Sequence, residues 1–158
     1  MLFTLRPLVL ESQGLVAALQ AMSEKLLDTY SQKMLVSVDE AILPEMEISK
    51  QTVVFYIIEE AVNNARKYAQ AEMIWVRLSR YAPELAMLEI RDEGKGFDPA
   101  AIGMDYENRG SLGMVNMRER TELINGVLQI NSAPDQGTTI QVVIPLTEEA
   151  GEKLHHSV

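Results

Sequence analysis

The sequence predicts an α+β domain, a two-layer α/β sandwich in which helices cover one face of a mixed β-sheet. Two observations favour this class: long helical patterns are interspersed with short strand patterns, and the chain then closes with a β-hairpin. Its 158 residues suit one compact domain. We divide it into a junction with a first helix over 1–30, a core over 31–147 and a polar tail over 148–158.

Three segments have the periodicity of helices. From 12 to 30, five apolar residues recur at helical spacing: Leu15, Ala18, Leu19, Met22 and Leu26. The segment 51–69 is predicted to be a long helix whose apolar stripe faces the sheet. The segment 112–124 is also helical and ends before Asn125-Gly126, because such a pair is a common C-terminal stop.

Five short segments are predicted to be strands. They are residues 34–38, 74–78, 85–91, 127–131 and 139–144. Pro44 marks a loop after the first strand, and Pro83 begins a turn between the second and the third. The third strand places Ala86, Leu88 and Ile90 on one face, as expected of a half-buried strand. The last two form a hairpin.

Composition narrows the classes of function. The chain has 14 Lys and Arg against 23 Asp and Glu, a net charge of −9, which disfavours nucleic acid as a partner because phosphate backbones are bound by basic surfaces. It has no Cys, which excludes disulfides, thiolate zinc sites and Cys nucleophiles. No apolar run approaches the roughly 18 residues of a membrane span, so we expect a cytoplasmic domain without direct membrane contact.

The second helix carries two overlapping Glu-x-x-x-Asn pairs. A helical wheel separates them into two polar stripes: Glu59, Asn63 and Arg66 on one, and Glu60, Asn64 and Lys67 on the other. The first stripe lies opposite the apolar stripe and is interpreted as a solvated surface. The second lies at the margin, where polar side chains can line a cleft, although from this helix alone a second hydrophilic edge is the simpler interpretation.

A second cluster follows the third strand. Asp92 lies where the strand ends and a turn containing Gly94 and Gly96 begins. Loops at strand ends are common ligand sites, and the carboxylate can accept a hydrogen bond from an amino group. The glycines permit close backbone approach or positive φ. The simple alternative is a surface turn rich in Asp and Gly.

A third cluster precedes the last helix. The run Arg109-Gly-Ser-Leu-Gly-Met114 leads into a helix N-terminus, whose free N–H groups favour phosphate, although Ser111 as an ordinary helix cap explains the same pattern. Residues 98–108 have few large apolar side chains and are interpreted as a mobile cover over a ligand. Gly137-Thr-Thr139 opens the last strand, and its hydroxyls favour either a strand or contact with a phosphate.

The order and spacing of these clusters resemble the N, G1 and G2 boxes of the Bergerat or GHKL ATP-binding fold. The matching runs are Glu60-Ala-Val-Asn-Asn64-Ala-Arg-Lys67-Tyr-Ala, Asp92-Glu-Gly-Lys-Gly96-Phe, Gly110-Ser-Leu-Gly113-Met and Gly137-Thr-Thr. Within that fold the chain is most similar to the catalytic domain of two-component sensor histidine kinases of the NarL/DesK-like class. Met117-Arg-Glu-Arg120 and the segment 5–19 also resemble that class, so the resemblance covers nearly the whole chain.

The resemblance implies a site for ATP and Mg²⁺. Asn64 would coordinate the metal, and Glu60 would be the acid near the metal and its waters; these two are the implied catalytic residues. Lys67 would meet phosphate oxygens, and Asp92 would hydrogen-bond the adenine amino group. The remaining residues that the resemblance assigns to the nucleotide site are Tyr68, Gly94, Gly96, Arg109, Gly110, Leu112, Gly113, Met114 and Thr138. Two positions depart from the pattern: Tyr68 stands where many relatives have His, and Glu93 replaces Asn or Asp.

The resemblance also implies partners. Such kinases phosphorylate a histidine on a preceding dimerisation domain, whereas the two His of this chain are His155 and His156 in the predicted tail. We therefore expect the acceptor on a dimerisation domain outside this chain, a response regulator as an indirect partner, and tethering to a membrane sensor as an option for a full-length protein. Two alternatives stay open: a regulatory module, similar to anti-sigma factors, that phosphorylates Ser or grips a partner, and an ATPase in which Glu60 activates water.

Overall fold

The computed structural model describes residues 8–96 and 111–156. Its five strands are β1 (Lys33–Val38), β2 (Met73–Ala82), β3 (Leu85–Asp92), β4 (Val127–Ser132) and β5 (Thr138–Pro145). They form one sheet in the order β1-β2-β3-β5-β4. The β1–β2 pair is parallel, and the other three pairs are antiparallel. The predicted mixed sheet and terminal hairpin are confirmed.

The helices are α1 (Leu8–Gln13), α2 (Leu15–Tyr30), α3 (Ile48–Asn64), α4 (Ser111–Leu123) and α5 (Glu148–His156). One helix was expected over 12–30. It forms as α2, and the shorter α1 precedes it; Gly14, with φ +91°, interrupts the helical backbone between the two. A 3₁₀ helix at Glu40–Glu45 contains Pro44, which was expected in a loop.

Helices cover one face of the sheet, as predicted. The inward side chains of the central strands are all buried: Ile74, Val76, Leu78, Ala86, Leu88, Ile90, Ile140, Val142 and Ile144. Three of the buried residues that α3 contributes to the same core, Val54, Ile57 and Ile58, are fully buried, so its apolar stripe faces the sheet as the wheel requires. The opposite face carries polar contacts: the Arg91 guanidinium stacks over Trp75, and Gln141 donates to Glu89 at 2.9 Å.

The C-terminal segment, expected only as a polar tail, is helical over Glu148–His156. Thr147 caps it, because its Oγ1 accepts a hydrogen bond from the amide of Ala150 at 3.1 Å. Ala150 and Gly151 are buried against the domain, and His155 Nε2 lies 2.8 Å from the carbonyl oxygen of Asn125. Within the described ranges, no helix is long and apolar enough to cross a membrane.

Candidate functional site

Asp92 occupies an inward position at the end of β3. The strand alternates between half-buried and buried residues, and Asp92 takes the last inward position with only 6% of its surface exposed. Its Oδ1 accepts a 2.9 Å hydrogen bond from the amide of Gly94. Burial raises the pKa of Asp92, while backbone hydrogen bonds from Gly94 and Thr138 act in the opposite direction. Asp92 is therefore a buried carboxyl group at the end of the central strand of the sheet.

Two glycines after Asp92 allow backbones to approach. A Cβ on Gly94 would overlap the carbonyl oxygen of Ala69, and the next amide, that of Lys95, donates to the same oxygen at 2.6 Å. Gly96 has φ +66°, and a Cβ there would overlap the carbonyl oxygen of Ala133 in the β4–β5 turn. The glycines therefore seat the turn against the end of the long helix on one side and against the hairpin on the other.

Thr138 lies next to Asp92 at the start of β5. The two residues are register partners in the β3–β5 pair, and Thr138 is buried. Its Oγ1 is 2.8 Å from Oγ of Ser132. Gly137, directly before it, has φ +76°, and a Cβ there would overlap the carbonyl oxygen of Asp92. The Gly-Thr pair that the sequence singled out therefore lies beside the Asp92 carboxyl group.

Helix α3 changes its geometry where its polar residues lie. It is α-helical to Asn64, continues as a π-helical turn over Ala65–Ala69, and ends at Gln70, whose φ is +55°. Such turns recur at functional sites. In this turn Ala65 and Ala69 are buried, whereas Lys67 and Tyr68 are exposed.

Asn64 carries a buried polar atom without a partner. Its Nδ2 makes no hydrogen bond within the described residues. A buried polar atom without a hydrogen bond costs stability. Rotation of χ2 by 180° exchanges Oδ1 and Nδ2, so the side chain can present its oxygen at the same position. Ala69, whose carbonyl oxygen holds the turn after Asp92, lies five residues beyond Asn64. The structure therefore brings the N-box end of α3 and the Asp92 turn together.

Glu60 points toward α4. Arg120 Nη1 lies 3.4 Å from Oε1 of Glu60, and the two side chains are 31% and 26% exposed. The Arg120 guanidinium also lies over the ring of Tyr56, 5.4 Å from its centroid. This contact was not predicted, because it joins segments 60 residues apart in the sequence. One sequence signal could have indicated it. In the Met-Arg-Glu-Arg run, Arg120 follows the buried Met117 by about one helical turn and so lies near the packed side of α4.

The expectation of a solvated stripe on α3 is wrong for two residues. Glu59 is half-buried, and its pKa is raised to about 7 by burial and by the neighbouring Glu60, with Arg120 and Lys25 opposing the shift. The guanidinium of Arg66 stacks over Tyr30 at 3.9 Å, and its Nε is buried without a hydrogen-bond partner in the described part. The wheel assumed one covered face, whereas α2 and α4 also flank α3.

The G2 predictions lie largely outside the described residues. Arg109, Gly110 and the expected cover over 98–108 belong to 97–110. Leu112, Gly113 and Met114 lie in the first turns of α4, and the predictions for their side chains are likewise outside the described part. In the described ranges no group of three or more His, Cys, Asp or Glu residues could hold a metal alone.

Comparison with known proteins gives a consistent result. Residues 49–148 match the family described as histidine kinase-, DNA gyrase B- and HSP90-like ATPases. A sensor-like histidine kinase of Chloroflexus aurantiacus is 38% identical over 92% of this chain and 25% of its own length. The signal transduction histidine-protein kinase/phosphatase DegS of Brevibacillus brevis is 31% identical over 94% of this chain and 36% of its own. The chain thus spans about a quarter to just over a third of these relatives.

The fold is also found in solved structures. The histidine kinase domain of a blue-light activated histidine kinase from Erythrobacter litoralis superposes with a TM-score of 0.64 at 18% identity, over 86% of this chain and 63% of that one. That likeness shows a shared fold. The family match over residues 49–148 and the sequence relatives show that the chain belongs to the histidine kinase-, DNA gyrase B- and HSP90-like ATPases and is an ATP-binding catalytic domain of the sensor histidine kinase type.

Proposed function

We propose that the domain binds ATP together with Mg²⁺ and transfers the γ-phosphoryl group to a histidine on a separate dimerisation domain. One observation carries the proposal: Asp92, the one acidic residue among the buried polar side chains of the described part, is followed by a glycine turn whose backbone is hydrogen-bonded to Ala69 beyond the end of α3. A buried carboxyl group with a raised pKa costs stability in the free domain, which is typical of a group retained for a ligand.

The adenine end of the site would be formed by Asp92. Its carboxylate accepts a hydrogen bond from the exocyclic amino group of adenine, whereas guanine presents a carbonyl oxygen at that position and would be repelled. Thr138, the register partner of Asp92, supports the carboxyl group from β5. Gly94 and Gly96 hold the turn close to the end of α3 and to the hairpin, so they shape the pocket through the backbone.

The phosphate end would lie at the π-helical turn and the start of α4. Lys67 is exposed there and can reach phosphate oxygens, with Tyr68 beside it on the same rim. The N-terminus of α4, which follows Arg109 and Gly110, presents free amide groups and the positive end of a helix dipole. These groups place positive charge near the phosphates although the whole chain carries −9.

The residues present fit a magnesium ion. Mg²⁺ prefers oxygen ligands, keeps several waters and binds through few protein groups plus phosphate. Asn64, whose buried Nδ2 has no hydrogen-bond partner among the described residues, would hold it, and Glu60 would contact its waters. When bound, the ion would neutralise charge on the phosphate oxygens.

Transfer would depend mainly on positioning. The bond between the γ-phosphorus and the bridging oxygen breaks, a phosphorus–nitrogen bond forms on the acceptor imidazole, and ADP leaves; the domain holds the nucleotide in line. His155 is held by the carbonyl oxygen of Asn125 beyond the C-terminal end of α4, away from the helix start that would face phosphate. The acceptor is therefore proposed on the dimerisation domain of the same or a partner kinase, with a response regulator downstream and a cytoplasmic location where ATP is supplied.

Nucleotide selectivity tests the binding half of the proposal. Calorimetric titration of the chain with ATP, ADP and GTP, each with and without Mg²⁺, should show binding of the adenine nucleotides and none of GTP. Asp92→Ala should abolish that binding, and Glu89→Ala on the opposite face of β3 should not. Equal affinity for ATP and GTP, or unchanged ATP binding in Asp92→Ala, would contradict the adenine assignment.

A further inference from the structure

Arg120 contacts two residues on one stripe of α3. Its Nη1 is 3.4 Å from Oε1 of Glu60, and its guanidinium lies over the Tyr56 ring, one helical turn earlier. Residues four apart on a helix lie on the same face, so a single side chain of α4 can reach both. Arg120 is thereby held between the two, with 31% of its side chain exposed.

Two adjacent carboxylates lie on the α3 side of this contact. Glu59 and Glu60 are adjacent carboxylates, both partly buried, and Lys25 of α2 is the other cation that acts on Glu59. A partly exposed ion pair by itself stabilises a fold little. Here the ion pair fixes the position of the Glu60 carboxylate. Without Arg120, that carboxylate would lose its partner on α4, and the repulsion from Glu59 would be unopposed at this contact.

We propose that Arg120 is a positioning residue that holds the Glu60 carboxylate in place for Mg-ATP binding. The inference rests on the proposed function, in which Glu60 contacts the waters of the metal. Arg120 lies in the last turn of the helix that begins at the glycine-rich run, so the ion pair also links that helix to α3. Partners that orient a group near a metal commonly change metal affinity by about tenfold or more when removed.

The test compares two arginines of one helix. Arg120→Ala and the control Arg118→Ala remove the same charge, but Arg118 is exposed. Binding of trinitrophenyl-ATP is measured against Mg²⁺ concentration and again in EDTA. We expect Arg120→Ala to raise about tenfold the Mg²⁺ concentration that gives half of the Mg²⁺-dependent increase in nucleotide binding. The affinity for the nucleotide in EDTA should stay unchanged. Arg118→Ala should behave as wild type, and Arg120→Lys should recover part of the effect.

A double-mutant cycle with Glu60→Gln separates positioning from a structural role. If Arg120 acts through Glu60, adding Arg120→Ala to Glu60→Gln should change the Mg²⁺ dependence no further. Additive effects, an unchanged Mg²⁺ dependence in Arg120→Ala, or an equal loss of affinity in EDTA would each overturn the inference. Arg120→Gln replaces Arg120→Ala if the alanine variant does not fold. Absence of ATP binding in the wild type would instead refute the proposed function itself.

Discussion

The backbone amide of Lys95 donates a 2.6 Å hydrogen bond to the carbonyl oxygen of Ala69. Ala69 is the last residue of the π-helical turn that follows Asn64, and Lys95 follows Asp92 by three residues. The bond therefore joins the helix proposed to hold the phosphates to the turn proposed to hold adenine. Because the bond joins backbone atoms, it does not depend on the side chains of Lys95 or Ala69. It does require glycine at position 94, since a Cβ there would overlap the Ala69 carbonyl oxygen.

Gly94→Ala should disrupt this junction. The new methyl group would overlap the Ala69 carbonyl oxygen, so we expect a loss of about 1–3 kcal/mol in unfolding free energy, measured by urea titration followed by circular dichroism. Glu93→Ala is the neighbouring control: its ion pair with Arg91 is on the surface, and its loss should change stability little. Wild-type stability in Gly94→Ala would show that the close approach is not required.

Asp92→Asn should separate stability from binding. The asparagine keeps an acceptor for the Gly94 amide but cannot ionise, and it offers donors where adenine requires an acceptor. We expect adenine nucleotide binding to be lost in calorimetry while the free domain is as stable as wild type or more stable at neutral pH. Glu89→Gln, on the opposite face of the strand, should retain binding. A strongly destabilised Asp92→Asn domain would contradict this account of the site.

The pH dependence of that difference follows from the raised pKa of Asp92. A raised pKa in the folded state means that folding favours the protonated carboxyl group, so its contribution to stability is present below the usual value of 3.8 and is lost as pH rises through the folded value. The stability difference between Asp92→Asn and wild type should therefore vanish below about pH 3.8 and grow toward neutral pH. Unfolding titrations at several pH values measure it. A difference that is constant with pH would show that burial does not perturb the group.

Asn64→Ala should remove the Mg²⁺ dependence of ATP binding and leave part of the affinity. Its Nδ2 has no hydrogen-bond partner among the described residues, so removal of the side chain should cost little stability in the absence of nucleotide. Asn63→Ala, at the adjacent partly buried position, is the matched control and should keep the Mg²⁺ dependence. The measurement is the ATP dissociation constant with Mg²⁺ and with EDTA. Equal effects at both positions would refute the proposal that Asn64, and not Asn63, holds the metal.

Lys67→Ala should weaken ATP binding but not adenosine binding. Lys67 is exposed, so the loss of a charged contact with phosphate should cost roughly tenfold in affinity, and less at high salt. Lys33→Ala, an exposed position on β1, should leave both affinities unchanged. Calorimetry with ATP and with adenosine distinguishes the cases. A parallel loss for both ligands would show that Lys67 acts on the fold or the adenine end.

Much of the fold was predictable from periodicity, because one buried face dictates the pattern of each element. The five strands and the helices α2 to α4 appear within a few residues of their predicted positions. The helix at Glu148–His156 was missed because its few buried residues, Ala150 and Gly151, are too small to show an apolar stripe. Thr147 as its N-cap was the signal that could have found it.

The residues of the candidate site remain predictions from the resemblance, whereas several of their contacts could not be predicted at all. Asp92, Gly94 and Asn64 were chosen from the order and spacing of all the motifs together, because each motif alone also fits a surface turn or a hydrophilic helix edge. The π-helical turn at Ala65–Ala69, the burial of Glu59 and the Glu60–Arg120 contact depend on how α2, α3 and α4 pack against each other. Such tertiary neighbours are invisible to a helical wheel, which considers one helix at a time.

Phosphoryl transfer to a partner domain tests the central claim most directly. The chain is mixed with radiolabelled ATP, Mg²⁺ and a histidine-kinase dimerisation domain, in wild-type form and with its acceptor histidine replaced by glutamine. The account predicts label on the wild-type partner only, labile in acid and stable in base, and absent when the chain carries Asp92→Ala. Acid-stable label on serine, or release of inorganic phosphate without labelled partner, would contradict it.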